Sequence, residues 1–233
     1  MSVANYEQRR AEIEHYFDRT AADTWATLTS DAPVSRIRQT VRAGRDDMRS
    51  TLLSWLPEDL TGRRILDAGC GTGALSLEAA QRGAEVVAID LSPTLIKFAR
   101  QRIDQHEFPG RIAFEVGDMR HFELGQFDHV VAMDSLIHYA PDDGIRTLES
   151  LAASVGSSVL FTFAPKTPLL ATMHAMGQWF PRADRSPAIV PVSERALAGI
   201  ITQSSEFMGW HLGRRHRVHR GFYISHAMEV RRQ

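Results

Sequence analysis

Two acids and three glycines at fixed spacing carry the strongest chemical signal in this chain. The apolar run Arg64-Ile65-Leu66 leads into Asp67-Ala68-Gly69-Cys70-Gly71-Thr72-Gly73, and Val86-Val87-Ala88-Ile89-Asp90 ends 23 residues after Asp67. The pattern predicts a buried strand, a glycine turn opening a helix, and a second strand ending in an acid, the arrangement with which α/β proteins hold adenosine-containing ligands. Gly69, Gly71 and Gly73 let the backbone approach such a ligand. Asp90 is placed to accept hydrogen bonds from two ribose hydroxyls, and Leu91 and Ser92 continue the same rim. An acid at Asp67 would repel a pyrophosphate but can take the ammonium of an amino-acid group. S-adenosylmethionine (SAM) is the ligand this favours. Gly69-x-Gly71-x-x-Ala74 also satisfies the loose NAD fingerprint, so an NAD(P)-dependent oxidoreductase stays open as an alternative.

Further along, Asp118 follows the strand-like segment 111–116, where methyltransferases place an acid beside the adenine amino group, and Met119 can lie against the ring. The segment 127–134 opens with the Phe-Asp pair common in such enzymes and carries Met133 at its end. Four successive strand ends then bring polar groups to one crevice, as the switch-point rule for open α/β sheets requires. His138, just beyond the fourth strand, could orient a carboxylate acceptor by a hydrogen bond, with Tyr139 assisting or packing beside it.

The elements that must hold these residues follow from periodicity. Residues 6–16 and 34–56 read as helices, the second with apolar residues at Ile37, Val41, Met48, Leu52, Leu53 and Leu56. Between them lies 18–31, containing Trp25, expected to pack over the cofactor crevice as a lid. Strand and helix alternate from Ile65 to Phe163, with Ser92-Pro93 capping a helix over 94–103. The pattern breaks at Pro165 and Pro168, and 169–191 forms an apolar insertion containing Met173, Met176 and Trp179, suited to walling a large flat ligand. A helix over 193–203 and two strand-like runs, 210–218 and 221–230, complete the chain.

With 233 residues and 43% hydrophobic content, the chain can bury one substantial core. A formal net charge of −1 gives no general attraction to nucleic acid or anionic lipid. Cys70 is the only cysteine, so no intrachain disulfide can form and a cytoplasmic location is expected. No apolar stretch approaches the length of a membrane span, and no metal-ligand spacing stands out. Lysine occurs only at Lys97 and Lys166, a bias toward arginine that leaves Lys166 the more conspicuous cation. The run Arg214-Arg215-His216-Arg217-Val218-His219-Arg220 reads first as a solvated hairpin, with a contact to a substrate carboxylate or a membrane surface as alternatives.

Tyr16-Phe17 with Trp25, the 67–73 motif, Asp134-x-Leu136-Ile137-His138-Tyr139 and Phe163-Ala164-Pro165-Lys166-Thr167-Pro168 together resemble the magnesium-protoporphyrin IX O-methyltransferases of chlorophyll and bacteriochlorophyll synthesis. The resemblance covers nearly the whole chain; its glycine motif is generic to the superfamily, and the two later segments discriminate more. It implies an α/β fold with a Rossmann-like seven-stranded class I methyltransferase sheet, a helical N-terminal arm over 1–60, a SAM-binding domain over 61–233 and a capping insertion at about 165–191. The implied reaction esterifies one propionate of magnesium protoporphyrin IX, with His138 and Tyr139 as catalytic residues and Trp25, Lys166, Met173 and Trp179 toward the porphyrin. The magnesium belongs to the substrate, and no protein-bound metal is expected. Hand-over from the porphyrin-binding magnesium chelatase subunit and peripheral association with the photosynthetic membrane are also implied. One departure is Thr29, where family members often carry a tyrosine. Another small-molecule methyltransferase and a non-enzymatic porphyrin carrier remain alternatives. A nucleic-acid methyltransferase is disfavoured because Met133-Asp134-Ser135-Leu136 lacks the Asn/Asp-Pro-Pro-aromatic element.

Overall fold

A computed structural model describes residues 3–20, 36–104, 106–120, 124–166 and 189–232. Strands β1 (Arg64–Ala68), β2 (Glu85–Asp90), β3 (Arg111–Val116), β4 (Phe127–Ala132), β5 (Val155–Phe163), β6 (Trp210–Arg220) and β7 (Tyr223–Arg232) form one seven-stranded sheet in the order β3-β2-β1-β4-β5-β7-β6. The first five strands are parallel, and β7 runs antiparallel to both β5 and β6. This is the Rossmann-like sheet expected from the sequence. Strand order reverses between β1 and β4, so the crevice beyond their C-terminal ends is the switch point at which open α/β sheets bind ligands.

The described helices are α1 (Val3–His15), α2 (Arg36–Ser54), α3 (Ala74–Gln81), α4 (Pro93–Ile103), α5 (Pro141–Ala153) and α6 (Glu194–Gln203). Central strands are apolar on both faces because helices cover both. Leu66, Val159, Phe161 and Met228 pack with Leu148 and Leu151 of α5 and Leu197 and Ile201 of α6 on one face. Ile65, Leu160 and Ala227 pack with α2 and α3 on the other. Ser92 caps α4, its Oγ accepting the Leu95 N–H at 3.1 Å, and Pro93 occupies the first turn, where its missing N–H costs nothing.

Helix α2 belongs to the core. Met48, Leu52 and Leu53 are fully buried against the sheet, each contributing about 1.5–3 kcal/mol relative to exposure. Gly44 permits the close approach: a Cβ there would overlap the Tyr223 ring. The part of the N-terminal region that stands apart from this packing is α1 with the π-helical turn Tyr16–Thr20. Among the described residues, no helix is long and apolar enough to cross a membrane.

Candidate active site

A cavity of about 270 Å³ opens at the switch point. Its floor is the turn after β1. Gly69 has φ 82°, and an added Cβ would collide with the Ser135 side chain that follows β4, so only glycine lets these two strand ends meet. Asp67, 2% exposed, sits beneath the turn with its Oδ2 accepting the Ser76 hydroxyl of α3 at 2.5 Å. Burial pushes its carboxyl up to about 7; Asp90 acts in the same direction, and the Ser76 hydrogen bond opposes. A carboxyl so placed gains most from a cationic ligand. Burial first, then Asp67 and Asp90, raise the Cys70 thiol well above its ordinary range, so it lines the cavity as a neutral group.

Asp90 is also raised by burial, but backbone donors hold it: Oδ2 accepts the Gly71 N–H at 2.8 Å and Oδ1 the Ser92 N–H at 2.9 Å. A carboxylate offers about four acceptor positions, so two remain for a pair of hydroxyls. The cradle thus suits a ribose at Asp90 and an ammonium at Asp67. Met119 and Met133 supply apolar wall, as does Leu91.

The end of β4 carries a denser knot. Asp134 is the one non-glycine residue with positive φ, 53°, among those described. Its carboxylate accepts hydrogen bonds from Arg45 Nη1 of α2 at 2.9 Å, the Tyr223 hydroxyl at 2.9 Å, the Ser225 hydroxyl at 3.1 Å and the Thr162 hydroxyl at 3.1 Å. Its N–H donates to Thr162 Oγ1 at 2.7 Å. Three elements, α2, β5 and β7, are thus tied to Asp134, two residues before the turn Leu136–His138. His138, 6% exposed, lines the cavity and meets the Phe17 ring edge-on at 5.6 Å. Tyr139 stacks on Tyr6 of α1 at 5.4 Å, and burial drives its phenol pKa upward, so it keeps its proton.

The structure thus brings Asp67, Gly69, Gly71, Asp90, Leu91, Met119, Met133, His138 and Tyr139 to one cavity. Gly73 and Ser92 serve the helices behind it, Gly73 as N-cap of α3 and Ser92 as N-cap of α4. Asp118 faces α1, not the cavity: the Tyr6 hydroxyl donates to its carboxylate at 2.9 and 3.0 Å, and Oδ1 also accepts the Arg120 N–H. Lys166 lines a different cavity. Trp25, Thr29, Met173 and Trp179 lie outside the described residues. The sequence reading names Phe17 only as part of an arm motif and does not place it at the cavity, nor Ile13, nor Arg42, Arg45, Asp46 and Arg49 of α2. Their three- and four-residue spacing marks one helical face, a signal masked by the general excess of arginine.

Two sequence profiles match the chain: one described as magnesium-protoporphyrin IX methyltransferase C-terminus, over residues 132–232, and one described as methyltransferase domain, over 65–156. A magnesium-protoporphyrin O-methyltransferase from Rhodobacter capsulatus is 50% identical over 98% of this chain and 99% of its own length. One from Synechocystis sp. is 27% identical over 94% of each. The crystal structure of magnesium protoporphyrin IX methyltransferase from Synechocystis PCC 6803 with bound SAH superposes with a TM-score of 0.84 at 26% identity, covering 96% of this chain and all of that one.

Proposed function

Because this chain belongs to the magnesium-protoporphyrin O-methyltransferase family, we propose that it transfers the methyl group of SAM to one propionate carboxylate of magnesium protoporphyrin IX. The observation that carries the reading is a single cavity whose wall runs from Asp67, Gly69 and Asp90 to His138. When bound there, SAM supplies an electrophilic methyl on a sulfonium that leaves as a neutral thioether.

The chain's own part is alignment. A propionate titrates near glutamate, at about 4.3, so at pH 7 only roughly one in 500 is protonated. It needs no general base, in keeping with a Tyr139 phenol that holds its proton. Orientation of a carboxylate oxygen behind the methyl carbon can supply on the order of 7–11 kcal/mol. In this reading His138 holds that carboxylate; it follows the tethered Asp134 by four residues and packs against Phe17. Asp67 and Asp90 hold the donor, and the methionines with Ile13 and Phe17 exclude water.

Incubating purified protein with magnesium protoporphyrin IX and methyl-labelled SAM should yield a labelled monomethyl ester. His138→Ala should lower turnover far more than SAM affinity. Ester formation at a near-normal rate in that variant would overturn the role given to His138. In the same reading the porphyrin arrives from the porphyrin-binding chelatase subunit, and the protein associates peripherally with the photosynthetic membrane. Salt-sensitive co-sedimentation with anionic vesicles tests the second point.

A further inference from the structure

Lys166, Arg195, Arg215 and Arg217 converge on a second cavity, of about 470 Å³. It lies on the sheet face covered by α6. Alternation along β6 places Arg215 and Arg217 on one side, paired across the ladder with Met228 and His226 of β7. Arg195 sits in the first turn of α6, where the helix dipole disfavours a cation. Lys166 follows β5 directly.

One carboxylate answers the four cations. Glu194 Oε1 accepts from Arg215 at 3.1 Å, while the side chains of Lys166, Arg195 and Arg217 have no hydrogen-bond or ion-pair partner among the described residues. Behind Glu194, the 6% exposed His226 has its Nδ1 without a hydrogen-bond partner, 3.6 Å from Glu194 Oε2. Burial, reinforced by the fields of Arg217 and Arg215 against that of Glu194, keeps this imidazole below its ordinary pKa. The four cations are exposed, so solvent screens their mutual repulsion, and an anion entering the cavity meets several of them at once.

The cavity is joined to the His138 turn by an extended segment. The Val190 N–H donates to the Ile137 carbonyl at 2.8 Å, beside His138. Two residues on, the Val192 N–H donates to Ala164 at 2.8 Å and the Val192 carbonyl accepts the Lys166 N–H at 3.1 Å. Two extended residues advance about 7 Å, so one short segment ties the backbone beside His138 to that of Lys166. We propose that this second cavity binds the carboxylate of the propionate that is not esterified, anchoring the macrocycle while its neighbour is presented at His138. The inference rests on the substrate reading given above.

Steady-state kinetics with two acceptors test it: magnesium protoporphyrin IX, and its monomethyl ester blocked at the non-reacting propionate. Wild-type protein should show a KM about tenfold higher for the blocked ester, the loss expected when a carboxylate leaves two partly screened cations. The double variant Lys166→Ala/Arg217→Ala should raise the KM of the diacid to that of the ester and abolish the discrimination. Arg195→Ala should reduce it in part, and Lys166→Arg should retain it. Unchanged thermal midpoints would establish that the folded protein is being compared. A double variant that keeps the wild-type KM ratio, or raises both KM values by the same factor, would overturn the proposal. Failure of wild-type protein to methylate the diacid at all would instead sink the substrate reading.

Discussion

Replacing Asp67 by asparagine should remove a pH dependence of donor binding that the buried carboxyl imposes. In the free protein, burial and Asp90 push Asp67 up to about 7. A bound ammonium favours the ionised form, so binding expels the proton, and affinity rises with pH through this value. Above it the donor's own amine begins to lose its proton, at about 7.7–8.0 for an α-amino group. Multiplying the ionised fraction of Asp67 by the protonated fraction of the amine makes SAH binding about sixfold weaker at pH 6 than at pH 7.4, and gives release of about 0.7 proton at pH 6.5. Isothermal calorimetry in two buffers of unlike ionisation enthalpy reads both quantities. In Asp67→Asn the acid limb and the proton release should vanish, with affinity at pH 7.4 down about ten- to a hundredfold for loss of a charge-assisted hydrogen bond. The linkage to stability has the opposite sign. A carboxyl whose pKa is raised on folding favours the folded state least when ionised, so the ligand-free wild type should lose stability relative to Asp67→Asn as pH rises from about 4 to 7. Affinity that stays flat between pH 6 and 7.4, or an asparagine variant that keeps the acid limb, would refute the placement of the ammonium at Asp67.

Three further perturbations follow from the geometry. Asp134→Ala strands the hydrogen bonds of Arg45, Tyr223, Ser225 and Thr162 and should cost about 3–5 kcal/mol in denaturant unfolding, the range for breaking a buried charged group's network; a cost below about 1 kcal/mol would show the knot to be dispensable. Glu229→Gln weakens the contacts of a 3% exposed carboxylate with Arg214 Nε at 2.8 Å and Nη2 at 2.6 Å and should cost about 2 kcal/mol at pH 7. Because Arg214 holds Glu229 below its ordinary pKa despite burial, that difference should persist down to the unfolded value of about 4.3 and shrink below it as the wild-type carboxylate is protonated. Tyr6→Phe should speed amide hydrogen exchange across residues 3–20 without moving the global unfolding midpoint, and unchanged exchange there would refute the Tyr6–Asp118 attachment.

The meeting of Asp67, Gly69, Gly71 and Asp90 at one cavity was legible because its parts are local. Asp67, Gly69 and Gly71 fall in one turn, and Asp90 ends the next strand, so spacing alone predicts their meeting. The sheet was legible for a related reason, since strands buried on both faces read as unbroken apolar runs. The Asp134 knot was not, because its donors lie at residues 45, 162, 223 and 225 and only the paired strands and α2 bring them together. Asp118 shows the converse: its position in the chain suggested an adenine contact, yet a tyrosine 112 residues away takes its carboxylate. Lys166 stood out by rarity, which says nothing of which cavity a side chain enters; that was decided by the course of the chain after β5, paired there with Val192.

The two helices before β1 differ in how they are held, and the difference bears on access to the site. Helix α2 places Arg42, Arg45 and Arg49 at the cavity through the complete burial of Met48, Leu52 and Leu53, so these cations move only if the core opens. Helix α1 and the turn after it are fastened by a few contacts. Tyr6 bonds Asp118, Asp18 Oδ1 accepts the Ser92 hydroxyl at 3.2 Å and the Thr94 N–H at 3.0 Å, and Ile13 with Phe17 makes a small apolar cluster around Tyr139. The buried side chains of α1, Tyr6 and Ile13, belong to this small separate cluster, whereas Met48, Leu52 and Leu53 of α2 belong to the main core against the sheet. Release of α1 from the cavity is therefore separable from global unfolding, and it exposes His138 together with Asp67 and Asp90 because Phe17 and Ile13 line the same cavity. Donor binding should consequently slow exchange across residues 3–20 in wild-type protein, and Tyr6→Phe should weaken that protection while leaving exchange across 45–54 unchanged.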